Sequence, residues 1–307
     1  MARTLVTGAA GLLGAACVEQ QLAAGREVVA LVRDRDPRSR LYAEGLLDRC
    51  VEVRAELADA ERLIAEYAPS HVLHLAAQTQ VTTANRAPLS TFESNVRGTW
   101  LLLEACRTAS EPPRGVVVAS SDKAYGAAPL PYTEATPLAP TAPYDVSKAC
   151  TDLVARSYGT HFGLPVVVTR CGNLFGPGDL NADRLVVELC AALGAGRAPV
   201  FRSSGAMTRE WLYVDDAAAA VGLLLDRAGA HAGEAFNVGG GEVASVRALA
   251  ELAAELAGWS EPLRWAEGDP AGELAHQSLD SAKLRALGWR PEVTLRDGLS
   301  RMLRGTA

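Results

Sequence analysis

The sequence predicts an α/β protein: a doubly wound parallel sheet covered by helices on both faces, with a smaller mixed α/β domain after it. Three observations predict this. Short β-branched runs alternate with helix-length stretches up to residue 172. A glycine-rich turn joins the first run to the first helical stretch. Beyond residue 172, prolines and glycines break the chain into shorter elements.

In chain order, Leu5 and Val6 lead into a turn holding Gly8, Gly11 and Gly14, then an alanine-rich stretch to Ala24 that stops at Gly25. The apolar run 28–32 completes a strand, turn, helix, strand unit. Further strand-like runs lie at 51–53, 72–75, 116–118 and 166–169, with helical lengths at 60–67, 91–109 and 147–162 between them. Pro177, Pro199, Pro270 and Pro291 punctuate the later part, where helices are expected at 184–193, 216–225 and 246–257. The expected division is a first domain over 1–172 and a second over 173–307, some segments of which return to the first. Ligands of such sheets bind beyond the carboxyl ends of the strands, so the later segments are the natural lid.

A chain of 307 residues is long enough for a full core, and 49% hydrophobic with 21% charged residues is ordinary for a soluble globule. The mean hydropathy of +0.06 agrees. A net charge of −6 leaves no broad basic surface, which excludes nucleic acid as a partner. Cys17, Cys50, Cys106, Cys150, Cys171 and Cys190 show no metal-site spacing, and the five histidines form no HExxH. They are read as reduced thiols and ordinary histidines, with no metal site. No apolar stretch reaches about 18 residues and no signal-like segment opens the chain, so a cytoplasmic protein without membrane partners is expected.

Gly8, Gly11 and Gly14 follow a strand and open a helix, as a Rossmann-type dinucleotide turn requires. Gly8 would make the tight turn, and Gly11 would let a pyrophosphate approach the backbone amides at Leu12 and Leu13. Gly14 would let helix and strand pack closely. At the end of the second strand, Val32 is followed by Arg33, Asp34 and Arg35. Arg33, helped by Arg38 or Arg40, could grip a ribose 2′-phosphate, so NADP is favoured over NAD. In the alternative, Asp34 reaches the ribose hydroxyl instead.

Tyr144 and Lys148 stand four apart, so in a helix phenol and ammonium share one face. A free tyrosine has a pKa of about 10 and needs help before it serves as a base. Upstream, the buried run 116–118 ends in the hydroxyls of Ser120 and Ser121, placed by the strand order beside the tyrosine.

Together TGAAGLLG (7–14), HLAAQ (74–78), NVRGT (95–99), SSDKAYG (120–126), PYDVSK (143–148) and RCGNLFGPGD (170–179) resemble the ordered motifs of extended short-chain dehydrogenases acting on nucleotide-sugars. REWLYVDD (209–216) and FNVGGG (236–241) extend the resemblance over essentially the whole chain. The resemblance implies that Ser121 bonds the substrate hydroxyl and that Tyr144 is base and acid. It implies that Lys148 holds the nicotinamide ribose and depresses the phenol. Leu75, Ala76 and Ala77 would face the dinucleotide, with Asn95 supporting the site.

Asp122 and Lys123 follow Ser121, where 4-epimerases of the family have small neutral residues and 4,6-dehydratases have an acid and a base. The pair, with GPGDLNADRLV (176–186), resembles the CDP-glucose 4,6-dehydratase branch most. Lys123, kept neutral by burial, would take the C5 proton, and a protonated Asp122 would give its proton to the leaving 6-hydroxyl. Gln78, Asn173, Arg184 and Arg209 are the expected contacts to a nucleotide-diphosphate sugar. An arginine-containing stretch of the relatives is replaced by GDPAGE (268–273), with His276 as the substitute clamp. Rival readings are a 4-epimerase or 4-keto-reductase on the same scaffold, and a non-catalytic dinucleotide sensor. A homodimer through the helices 91–109 and 147–162 is expected from the resemblance.

Overall fold

The computed structural model describes residues 2–268 and 275–305. In chain order its strands are β1 (Arg3–Thr7), β2 (Glu27–Val32), β3 (Val51–Arg54), β4 (His71–His74), β5 (Gly115–Ser121), β6 (Val166–Cys171), β7 (Asn173–Phe175), β8 (Thr208–Tyr213), β9 (Ala235–Val238) and β10 (Glu242–Ser245). Seven of them form one sheet in the order β3-β2-β1-β4-β5-β6-β9, every neighbour parallel. The smaller sheet runs β10-β8-β7, antiparallel at the first pairing and parallel at the second.

A parallel sheet must be covered on both faces, which is why its strands are apolar at nearly every position. All six residues of β6 and the last five of β2 are buried. Successive side chains point to opposite faces, so Val6, Val28, Ala30, Val117 and Val167 meet the helices Leu12–Ala23 and Val214–Arg227 in one core. Leu5, Val29, Val72, Val116 and Val166 meet the helices Ala60–Tyr67, Gly98–Thr108 and Pro143–Phe162 in the other. A third core lies between the smaller sheet and the helices Leu185–Gly194, Val246–Leu256 and Leu295–Arg304. Thus β9 and the helix Val214–Arg227, from beyond residue 172, belong to the large sheet's layers.

Three departures from the expected elements shape the site. The single helix expected over 91–109 is interrupted by a π turn, Glu93–Arg97, between the helices Pro88–Phe92 and Gly98–Thr108. The extra residue in that turn rotates Asn95 into the interior, where its carbonyl accepts from Thr99 and Thr151 hydroxyls. The helix expected from 147 begins at Pro143, whose fixed φ and missing N–H suit a first helical position. Tyr144 therefore sits in the first turn. Arg184, expected inside a helix, is instead the extended residue before it.

Candidate active site

Because β1 lies between β2 and β4, the connections leaving β1 and β4 diverge and open a crevice at their carboxyl ends. Gly8 has φ +70°, and a Cβ there would stand 2.7 Å from the Ala76 nitrogen. A Cβ on Gly14 would stand 2.0 Å from the Gly8 carbonyl oxygen. The turn is thus pressed between its helix and the loop after β4, and only hydrogen fits at both places. Gly11 caps the helix with no side-chain hydrogen bond and no acidic residue in the first turn. The amides of that turn, at Leu12 and Leu13, are left for an anion. This cradle fits the pyrophosphate of a dinucleotide.

Thr7 fastens the opposite wall: its Oγ1 accepts from the Leu75 and Ala76 amides, each at 3.2 Å, and bonds His74 Nδ1 at 2.9 Å. His74 Nε2 reaches Thr99 Oγ1 at 3.0 Å. Burial, helped by the Lys148 charge, holds this imidazole down to about 3, so it is a neutral strut. Ala77 follows, half-buried.

Past Val32, Arg33 is exposed and its Nε donates to Asp34 at 2.6 Å. Its expected helpers are engaged elsewhere. Arg38 pairs with Asp36, and Arg40, 11% exposed, is held by Glu19, Glu44 and Asp215. Arg40 therefore ties this loop to the helix Val214–Arg227 and is not available to a phosphate.

Two expected ligand contacts have hydrogen-bond partners within the protein. Asn95 is 2% exposed; its Oδ1 accepts from the Gln78 amide at 2.7 Å, and its Nδ2 donates to Gln78 O and Ser147 Oγ. Both its N–H groups and one lone pair of its oxygen are engaged within the protein. It positions the β4 loop against the helix that carries Tyr144. The Gln78 amide folds back, Nε2 donating to Gln80 O and Thr91 Oγ1 and Oε1 accepting from the Gln80 amide. That side chain braces a turn.

The catalytic candidates converge at the end of β5. Ser121, 9% exposed, donates to Asp122 Oδ1 at 3.0 Å, accepts from the Lys123 amide at 3.3 Å, and stands beside the Tyr144 phenol. Burial drives the phenol far above its ordinary pKa, opposed by the charge of Arg184 and by Ser121. The charge of Arg184 is the one that opposes this rise, while Lys148 Nζ donates to Ala119 O at 2.8 Å. Burial lowers Lys148 to about 8.

Asp122 is 5% exposed, and burial raises its carboxyl above the ordinary range against the charges of Lys123 and Arg209. Lys123 is only half-buried, between Asp122 and Asp145, so the full shelter expected for it is not there. Asp145, whose carboxyl is also raised by burial, was not among the expected residues.

A buried ion pair anchors this turn. Arg170, on β6, binds both oxygens of Asp152 at 2.7 and 2.9 Å and donates to Tyr125 Oη at 2.9 Å. Tyr125 closes the turn Asp122–Tyr125 and donates to Asn237 Oδ1 at 2.6 Å. Asp152 shares its helix with Tyr144, so one network fixes both halves of the catalytic group.

Of the expected substrate contacts, Asn173 leaves a buried Nδ2 without a hydrogen-bond partner, which suits a ligand oxygen. Arg184 donates to Asp179 at 2.9 Å and lies close enough to act on Tyr144. Arg209 donates to Thr208 O at 2.9 Å and to Ala275 O at 3.4 Å, and its charge reaches Asp122. His276 is exposed and bonds Thr208 Oγ1 at 2.7 Å. Of the GDPAGE stretch, 269–273 lies outside the described residues. The segment after it returns to the site: Leu279 N donates to Glu210 and Asp280 N to Tyr132 O, which brings Gln277 against Asp122. No periodicity marks such a return, so the sequence reading missed Gln277. Among the described residues, no group of three His, Cys, Asp or Glu side chains could hold a metal ion, and no helix is long and apolar enough to cross a membrane.

The family model described as "NAD dependent epimerase/dehydratase family" matches residues 4–239. The chain belongs to this family. Its relatives in the family include dTDP-glucose 4,6-dehydratase 1 of Escherichia coli K12, 30% identical over 97% of this chain and 90% of that protein. A double mutant of the dTDP-glucose 4,6-dehydratase of Streptomyces venezuelae, solved with NAD bound, superposes with a TM-score of 0.88 at 33% identity, covering 99% and 96% of the two chains. The UDP-glucose 4-epimerase of Thermotoga maritima, solved with UDP-glucose, gives 0.89 at 26% identity, covering 99% and 98%. Members of one family thus share this scaffold while differing in reaction, so the residues around the tyrosine decide which reaction runs.

Proposed function

We propose that the chain is a 4,6-dehydratase of a nucleoside diphosphate hexose. The observation that carries this reading is the buried carboxyl of Asp122, held by Ser121 beside the Tyr144 phenol. A 4-epimerase has no use for an acid there.

A nicotinamide dinucleotide, held along the Gly8–Gly14 turn and the 75–77 loop, supplies a hydride acceptor for C4 and a donor for C6 when bound. Tyr144 takes the 4-hydroxyl proton, with Ser121 orienting that hydroxyl and Lys148 the ribose. The C4 ketone acidifies the C5 hydrogen, which Lys123 is placed to remove. Asp122 gives its proton to the 6-oxygen as the C6–O bond breaks and water leaves. Arg184, Arg209 and Asn173 serve the diphosphate and sugar, and the Asp122–Lys123 pair makes CDP-glucose the first substrate to screen.

The test is incubation in deuterated water with a panel of NDP-hexoses. A 4-keto-6-deoxy product with deuterium at C5 is expected; a C4 epimer alone would establish the epimerase reading instead.

NADP remains our preferred cofactor, because Arg33 is the first exposed cation beyond β2. Its bond to Asp34 is the argument for NAD, since that carboxylate could serve a ribose hydroxyl. Arg33→Ala is expected to weaken NADP binding by about 10-fold and leave NAD binding unchanged, as bidentate charge-assisted bonds to phosphate imply. Calorimetric titration with both cofactors reads it; equal effects on both would remove the preference. We further propose the two-domain division at residue 172. A homodimer through the helices Gly98–Thr108 and Pro143–Phe162 follows from Trp100, Leu153 and Phe162, which are exposed there.

A further inference from the structure

Gln277 is 2% exposed, and its surroundings do not explain why an amide is there. Its Nε2 donates to Asp122 Oδ2 at 3.4 Å, while its Oε1 is buried without a hydrogen-bond partner. Such a group costs stability unless something else uses it. The other carboxylate oxygen, Oδ1, is taken by Ser121. Gln277 therefore faces the one oxygen of Asp122 left for a proton.

We propose that Gln277 is a positioning residue for the proton cycle of Asp122, its N–H serving the carboxylate and its carbonyl, turned about, serving the carboxylic acid. The inference rests on the dehydratase reading. In each turnover Asp122 passes its proton to the departing 6-oxygen as the C6–O bond breaks and the C5–C6 double bond forms, and it must then regain one. An acid of this kind presents O–H at one moment and O⁻ at the next. A side chain with a donor at one end and an acceptor at the other satisfies both states without moving the carboxyl.

The other groups facing Asp122 are less suited to that task. Lys123 and Arg209 are cations that favour only the charged form. Tyr144 and Asp145 face it from the catalytic helix, and Glu210 from β8; their negative forms oppose its charge. Tyr132 and Cys171 feel the same repulsion. Ser121 is neutral too but sits on Oδ1, so Gln277 is the neutral side chain with both a donor and an acceptor that meets Oδ2.

The test compares Gln277→Met, which keeps the volume and removes the polar ends, and Gln277→Glu, which restores an acceptor. Two reactions are followed in each holoenzyme. Reduction of bound cofactor by an NDP-6-deoxyhexose reads C4 oxidation without any leaving group; release of 4-keto-6-deoxy product from the NDP-hexose reads the elimination. In Gln277→Met, elimination is expected to fall about 10- to 100-fold with C4 oxidation held within about twofold. Its alkaline limb should move up by about one pH unit, because a donor to the carboxylate is gone. Gln277→Glu should recover part of the elimination at low pH, where its carboxyl is protonated. Equal losses in both reactions, or elimination at the parent's rate with an unmoved limb, would overturn the inference while leaving the dehydratase reading intact. A parent enzyme that releases only a C4 epimer would remove that reading and the inference with it.

Discussion

Tyr144→Phe is expected to slow C4 oxidation by about 10³- to 10⁴-fold while leaving dinucleotide affinity within about twofold. The phenol is 9% exposed and lies beside Ser121, so losing its oxygen removes the proton acceptor with little change in packing. The corresponding loss of transition-state stabilisation is about 4–5 kcal/mol. The cradle at Gly8, Gly11 and Gly14 and the 75–77 loop is untouched by the change, which is why binding should survive. Stopped-flow absorbance of the reduced cofactor gives the rate, and fluorescence titration the affinity. A variant oxidising substrate at the parent's rate would show that another group is the base and would remove the chemistry assigned here.

The phenol's surroundings sharpen this expectation. Burial works against forming a phenolate, and the groups that oppose it are Arg184 and Ser121. Lys148, four residues on, donates to the Ala119 carbonyl and, at about 8, is still mostly protonated at neutral pH. Its ammonium is thus a buried charge fixed under the sheet's edge, where it also keeps His74 neutral. A cofactor ribose beside that ammonium would complete its hydrogen bonding.

The large sheet was legible because its strands are short β-branched runs between helices of ordinary length; the expected 60–67 helix coincides with Ala60–Tyr67, and the others shift by a few residues. The glycine turn was legible because backbone approach leaves no choice of residue at Gly8 and Gly14. The π turn at Glu93–Arg97 was not, since an inserted residue within a helix leaves the apolar pattern nearly intact while redirecting Asn95. The protein partners of Asn95 and Gln78 were not legible for the same reason: residue type says that an amide is present, whereas tertiary contacts decide what it bonds. Arg170 with Asp152, and Gln277 with Asp122, join positions 18 and 155 apart in sequence, and no local spacing links them. Electrostatic partners followed the same rule, as the charge of Arg184, remote in sequence, reaches Tyr144.

Asp122→Asn is expected to separate the two halves of the reaction. Release of the 4-keto-6-deoxy product should fall by about 10²- to 10³-fold, with C4 oxidation retained within about tenfold. Asparagine keeps the shape and can still accept from Ser121, but it has no acidic proton to give a leaving hydroxyl. The pH dependence has a definite sign. Burial raises the Asp122 carboxyl above the ordinary carboxylate range, so its proton is held further toward neutrality than a surface aspartate's would be. The contribution of Asp122 to elimination by the parent should therefore decline as pH rises through that raised value. The variant should lose this decline, because amide nitrogen does not titrate there. Product analysis by mass spectrometry across pH, with the reduced-cofactor signal followed in parallel, separates the steps. Equal losses in oxidation and elimination would place Asp122 in support of Tyr144, which it faces, rather than at C6, and the choice between dehydration and epimerisation would then rest on Lys123 alone.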